Sequence, residues 1–202
     1  MKKNTNPVLS NPDDISEIKR LIRKNSHPRS MGTFKPACVF LLLYEKQGEL
    51  RIPAILKADN KGYPWANQVA LPGGRIERTD PTPRDTAYRE LEEELGITRS
   101  HVDDMGSIGH FRTLKNTEIE VFTGIWDEQE TLCYDEYEIA RIIDVPVNQL
   151  LETHFAEGLA GRDPGWEELM YPVDDVVIWG VTAKILHYFI ELVYSKKMRW
   201  NS

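Results

Sequence analysis

Between Leu71 and Ile97 the chain reads LPGGRIERTDPTPRDTAYRELEEELGI, and no other stretch constrains its folding and chemistry as tightly. A Gly-Gly pair stands a short distance ahead of a segment in which Ala87, Tyr88, Leu91 and Leu95 recur at helical spacing. Thr82 or Asp80 can cap the start of that helix, with Pro83 or Pro81 as the matching first-turn residue, and Gly96 supplies the stop. Glu90, Glu93 and Glu94 fall at i, i+3 and i+4, so they share one face, where like charges repel. With the apolar residues packed inward, the glutamates are expected to point away from the core. Such a face wants a cation, and a hard ion such as Mg2+ binds through a few carboxylates together with substrate phosphates. Arg89, four residues before Glu93, can pair with it and hold it in position.

A glutamate run taken alone reads as a solvated helix face. The joint pattern reads differently: Pro72-Gly73-Gly74, five residues, Asp80, eight residues, then Arg89-Glu90-Leu91-Glu92-Glu93-Glu94-Leu95-Gly96-Ile97. It resembles the Nudix box, with Asp80 where glutamate is usual and a spacer one residue longer before Arg89. Both departures also occur in the coenzyme A diphosphatase branch of that family. Ile178-Trp179-Gly180-Val181-Thr182-Ala183-Lys184-Ile185-Leu186 looks like the C-terminal helix signature of the same branch, so the likeness covers most of residues 37–195. Against that branch, the positions of its two upstream arginines and glycine hold Ala58, Tyr63 and Asn67 here, although Lys57 and Lys61 lie close by.

Composition fits one enzyme domain. At 202 residues the chain can bury a substantial core. With 25 basic and 32 acidic residues its net charge of −7 disfavours nonspecific binding to nucleic acid. An acidic protein that binds anionic diphosphates needs a bound metal as the local positive charge. Cys38 and Cys133 give no disulfide framework and fit a reducing cytosol, and Cys38 in the apolar run Ala37 to Tyr44 reads as a buried small residue. No apolar stretch is long enough to span a bilayer, and the polar opening lacks the apolar region of a signal peptide. A cytoplasmic protein without membrane or nucleic-acid partners is the expectation.

The remaining elements alternate. Asp13 to Arg23 reads as an amphipathic helix with Ile15, Ile18, Leu21 and Ile22 inward, followed by a polar linker through Lys35. Ala37 to Tyr44 and Glu49 to Leu56 read as strands joined at Gln47-Gly48, and a short strand enters the Gly-Gly turn. Ser107 to Thr113 and Glu118 to Trp126 read as a hairpin around Lys115-Asn116, with Ile119, Val121, Thr123 and Ile125 on one face. Glu138 to Asp144 is a further strand, Pro146 to Glu152 a short helix, residues 155–175 a long loop, and Ile178 to Tyr194 a closing helix. This order suits a mixed sheet between helices, the α/β/α sandwich that the Nudix resemblance implies. The expected organisation is an N-terminal extension over residues 1–35, the Nudix domain over 36–196 and a tail over 197–202.

The resemblance implies metal-dependent hydrolysis of a nucleoside diphosphate linked to another group, with Mg2+ or Mn2+ as cofactor. It makes Glu90 and Glu94 the principal metal ligands, joined by Glu93 and by the Gly73 carbonyl. Glu93 and Glu90 are the candidate catalytic carboxylates of the box, Arg89 their partner, and Glu138 the candidate general base outside it, with Glu136 as runner-up. Arg75 could touch a phosphate, and Tyr63 and Trp65 could stack on a base. A coenzyme A-like substrate comes first, with ADP-ribose, NADH or a nucleotide sugar as alternatives. Two further readings are an isomerase like the isopentenyl diphosphate isomerases, for which Cys38 is a poor nucleophile, and a non-catalytic nucleotide-binding Nudix domain, which usually shows eroded box carboxylates. A homodimer is allowed because many relatives of this kind form one.

Overall fold

The computed structural model describes residues 12–60 and 66–200, with side chains over 15–60 and 66–194. Strands β1 (Lys35–Lys46) and β2 (Glu49–Lys57) form a hairpin as expected. Its two connecting residues, Gln47 and Gly48, both take positive φ, 56° and 77°. That is the demand of a tight turn whose twist matches the strands, and Gly meets it at no steric cost. Strands β3 (Val69–Ala70) and β4 (Gly73–Arg75) flank the Leu71-Pro72 step, β3 pairing with β2 and β4 with β1.

Strands β5 (Val102–Arg112), β6 (Thr117–Trp126) and β7 (Ile139–Pro146) complete a seven-stranded sheet. The order β3-β2-β1-β6-β5 forms its path, with β7 added to β2 and β4 to β1. β1 and β6 run parallel from Lys35↔Thr117 to Leu43↔Ile125, and every other pairing is antiparallel, so the sheet is mixed.

Helices cover both faces. Cys38, Phe40, Leu42 and Tyr44 of β1 pack with Ala87, Tyr88, Leu91 and Leu95 of α2 (Pro83–Leu95). The alternate residues Leu41 and Leu43 face a larger cluster with Ile18, Leu21 and Ile22 of α1 (Pro12–Lys24), Leu150 and Leu151 of α3 (Val147–Ala156), and Ile185 and Phe189 of α4 (Gly180–Trp200). A strand buried on both sides reads as a continuous apolar run, which is what residues 37–44 are. The same holds for β6: Ile119, Val121 and Thr123 are buried together as expected, and so are Phe122 and Trp126 on the opposite side. α1 belongs to this core, although residues 1–35 read as an extension in the sequence. The chain that follows it is held rather than free, with His27 N–H on the Ile108 carbonyl at 2.8 Å and His110 N–H on the His27 carbonyl at 3.0 Å.

Several elements differ from the sequence reading: α3 runs on to Ala156 and the closing helix starts at Gly180, Ile178 falling in a strand. β5 starts five residues earlier than the expected Ser107, because bulges at Asp104/Gly106 and Ser107/Gly109 break the two-residue period by which strands are recognised. Glu138 lies in a turn before β7 instead of on the strand. Residues 155–175 are not all loop: β8 (Tyr171–Val173) and β9 (Val176–Ile178) form a small hairpin whose Tyr171, Val173 and Ile178 are fully buried. Three-residue strands are too short to show alternation, and Pro172 argues against a strand in sequence. Here it is tolerated because both strands of a two-stranded hairpin are edge strands, where a missing N–H need not break the ladder, and its carbonyl accepts from Gln149 Nε2 at 3.0 Å.

Candidate active site

The start of α2 is fixed by Thr82, whose Oγ1 accepts the Asp85 N–H at 3.3 Å, with Pro83 at the first helical position. Gly96 ends it in the left-handed conformation at φ 72°, its N–H on the Glu92 carbonyl at 2.9 Å. Asp80 is therefore not the cap. It is the anchor of Arg89, accepting from Nε at 3.1 Å and Nη2 at 3.2 Å while also taking the Thr86 hydroxyl and the Glu77 N–H, each at 2.9 Å. The Arg89 guanidinium, with help from the Glu77 N–H, holds the Asp80 carboxyl at about 2. The same fork reaches Glu90 at 3.0 Å, Glu93 at 2.8 Å and the Arg75 carbonyl at 3.3 Å. Arg89 thus positions two carboxylates of the face and ties them to β4, as a rigid planar donor is suited to do.

The sign of the Asp80 contribution follows from its lowered pKa. Its stabilising effect is complete above the ordinary aspartate value of 3.8 and is lost as pH falls towards about 2. Asp80→Asn is accordingly expected to lower stability by a constant amount at neutral pH, with the difference from wild type shrinking as acid neutralises Asp80 in the parent. Urea melts across that pH range check this, and a difference that persists unchanged below about 2 would show that the carboxylate charge is not what anchors Arg89.

The three helix carboxylates occupy different environments. Glu93 is 58 % exposed and points away from the core as expected. Glu90 is half-buried, and burial together with the neighbouring Glu94 and Glu93 charges pushes its carboxyl upward, with Arg89 opposing. It lies directly over Gly74: a methyl group there would sit 2.3 Å from Glu90 Oε1.

Glu94 corrects the expectation that all three point outward. It is buried at 7 %, with Oε1 on the Lys57 ammonium at 2.6 Å and Oε2 accepting the Gly73 N–H at 2.8 Å. Burial pushes its carboxyl up against the opposing pull of Lys57, and the nearby Glu138 charge adds to the rise. Gly73 itself takes φ 150° and closes on β1 so tightly that a Cβ would meet the Cys38 carbonyl at 2.2 Å.

Glu138 is exposed, its N–H on the Asp135 carbonyl at 3.0 Å and its carbonyl accepting the Ala58 N–H at 2.9 Å. Its backbone is thereby tied to the residue that follows Lys57, the partner of Glu94. Arg75 is exposed at the end of β4, and Tyr63 and Trp65 lie outside the described residues. Cys38 is fully buried and its thiol is pushed up to about 12, chiefly by burial, which leaves it protonated and unsuited to act as a nucleophile.

A cavity of about 610 Å3 adjoins Gly73 and Gly74 and runs to the start of α4. Lys57, Arg75 and Lys115 supply charge to its lining, Trp166 and Trp179 supply aromatic surface, and no carboxylate lines it among the described residues. Lys57, which the sequence showed only as a neighbour of this motif, is the cation that meets Glu94. It lies 37 positions from Glu94, and no local pattern announces that pairing.

Among the described residues no three His, Cys, Asp or Glu side chains are gathered as a metal-holding group. The carboxylates of the face instead meet the protein's own cations, Arg89 and Lys57. In kind the donors suit a hard divalent ion, being all oxygen. Two of them, Glu90 and Glu94, are pushed upward by burial, so the ionised pair is one that added positive charge would relieve.

Residues 34–162 match the NUDIX domain, and the chain belongs to that family. Nudix hydrolase 22, chloroplastic, of Arabidopsis thaliana is 29% identical over 171 residues, covering 80% of this chain and 56% of the plant protein. The uncharacterized Nudix hydrolase NudL of Photorhabdus laumondii is 28% identical over 131 residues, 63% of this chain and 70% of that one. The chain therefore spans little more than half the length of the plant relative. Among solved structures, a MutT/nudix family protein from Enterococcus faecalis superposes with a TM-score of 0.55 at 16% identity, over 90% of this chain and 70% of the other. That likeness concerns the fold, a central mixed sheet between helices.

Proposed function

We propose that this protein hydrolyses a diphosphate bond in a nucleoside diphosphate linked to another moiety, using Mg2+ or Mn2+. The observation that carries the reading is the placement of the Glu90, Glu93 and Glu94 helix against Gly73 and Gly74, beside a cavity whose charged lining among the described residues is cationic. At about 610 Å3 that cavity lies within the range of roughly 300–1,000 Å3 usual for small-molecule sites. Glu90, Glu93 and Glu94 would hold the metal, with the Gly73 carbonyl as a further ligand. A bound divalent ion would neutralise charge developing on the diphosphate and lower the pKa of an attacking water.

Arg89 acts as a positioning residue for Glu90 and Glu93. Glu93 and Glu90 of the box are the candidates there to take a proton from water, and Glu138 is the candidate outside the metal face, with Glu136 as runner-up. Arg75 and the cavity cations meet the substrate's phosphates, and Tyr63 and Trp65 are assigned to the base. The catalytic unit is residues 36–196, with α1 of the 1–35 segment packed onto its core and a tail over 197–202, in a cytoplasmic protein that is allowed to pair as a homodimer. No helix among the described residues is long and apolar enough to cross a membrane.

A coenzyme A-like substrate is favoured by the Asp80 position, the eight-residue spacer and the Ile178 to Leu186 segment. Opposed to it, Ala58, Tyr63 and Asn67 stand at the positions of the branch's two arginines and glycine, and Ala58 and Asn67 both serve the backbone. Ala58 is buried with its N–H on Glu138, and Asn67 turns the chain at φ 59° with its N–H on the Lys57 carbonyl at 3.1 Å. ADP-ribose, NADH and nucleotide sugars are the alternatives. The discriminating experiment incubates the protein and Mg2+ or Mn2+ with these compounds and coenzyme A, and identifies products by mass. A phosphopantetheine and an adenosine bisphosphate from coenzyme A support the first choice, and preference for another diphosphate replaces it.

A further inference from the structure

Both oxygens of Glu94 are already engaged. Oε2 accepts from the Gly73 backbone and Oε1 from the Lys57 ammonium at 2.6 Å, so a divalent cation bound through Oε1 would stand beside that ammonium and repel it. Gly73 cannot leave, because it is paired with Val39 in the sheet and packed against the Cys38 carbonyl. Lys57 can. Its backbone is fixed, with its N–H on the Gln68 carbonyl at 3.0 Å and its carbonyl accepting from Asn67, but its charge rides on a flexible four-carbon stem. Lys57 is also among the residues that line the adjoining cavity, which gives a displaced ammonium somewhere to go.

We propose that Lys57 is the internal counter-ion of Glu94, that an incoming divalent cation displaces it, and that the displaced ammonium then binds the anionic part of the substrate in the adjoining cavity. The proposal rests on the metal-dependent reading above and adds to it a coupling between the two sites. Without metal, Lys57 neutralises a carboxylate that burial would otherwise leave uncompensated. With metal, the same positive charge joins Arg75 and Lys115 in a chamber lined by no carboxylate among the described residues. The register shift of β2 between Leu56 and Lys57 lies at this point of the strand, where a bulge re-aims a side chain.

The test uses Lys57→Met and Lys57→Gln in the full chain, with Mn2+ binding followed by electron paramagnetic resonance without substrate, and ADP binding to the Mn2+-saturated protein by calorimetry. Lys57→Met is expected to bind Mn2+ about tenfold more tightly, because no counter-ion competes, and ADP about tenfold more weakly. Lys57→Gln, which keeps a neutral donor to Glu94 and so guards against loss of folding, should shift both affinities in the same opposed directions by less. Opposite signs are what distinguish displacement from damage. Unchanged Mn2+ affinity, or weakening of both affinities, overturns the proposal alone. Absence of Mn2+ binding by wild type and variants alike overturns it together with the reading beneath it.

Discussion

Glu94→Gln is expected to abolish most metal-dependent turnover, a loss of roughly a hundredfold or more, the size seen when one preorganised electrostatic group is removed from an active site. It is also expected to cost stability. The substitution leaves the Lys57 ammonium without its anion, at 12 % side-chain exposure, and breaking a fully buried pair costs about 3–5 kcal/mol. Here the cavity lets the lysine reach solvent, so about 1–3 kcal/mol is the expected loss. Glu93→Gln separates the two effects. Its side chain is 58 % exposed, so activity should fall with little change in the urea midpoint. Paired activity and urea measurements on both variants decide the matter. Full activity in both would remove the helix face from the site, and equal stability losses would contradict the difference in burial.

Gly73→Ala should have the largest effect on folding. At φ 150° the added Cβ would lie 2.2 Å from the Cys38 carbonyl oxygen and 2.5 Å from the Val39 Cα, both backbone atoms of the central strand. Neither can turn aside as a side chain could. We expect a loss of about 3 kcal/mol or more, large against the stability of a typical domain. The lesion would also pull the Gly73 N–H from Glu94, so any protein recovered should be inactive. A thermal melt of the variant beside Gly74→Ala gives the contrast. There the obstacle is the Glu90 carboxylate, which can rotate away, so folding should survive better. A Gly73→Ala protein as stable as wild type would show that the turn does not approach β1 this closely.

What the sequence made legible is largely local. The α2 cap at Thr82, its stop at Gly96, its apolar side and the β1–β2 hairpin at Gln47-Gly48 all follow from residues within a few positions of one another. The Gly-Gly turn and the carboxylate helix could be recognised together because their spacing is fixed along the chain. What stayed hidden depends on the third dimension or on broken periodicity. Helical spacing placed Glu94 beside the other glutamates but could not show that β2 brings Lys57 to it, or that the Gly73 backbone takes its second oxygen. Spacing suggested that Arg89 holds Glu93, yet its strongest anchor, Asp80, lies outside the helix. The bulged β5 and the three-residue β8 and β9 escaped because neither offers a run long enough for alternation to emerge.

Whether this chain cleaves a diphosphate with water, under the control of a divalent ion held at the α2 carboxylates, is decided by incubating the protein in 18O-labelled water with coenzyme A, ADP-ribose, NADH and nucleotide sugars. Mn2+ or Mg2+ and a chelator are used in parallel, and the products are weighed. We expect two phosphate-bearing fragments from at least one compound, the label in the phosphate of one of them, and no product under chelation. No cleavage of any compound with either metal, or cleavage unaffected by the chelator, would contradict this expectation.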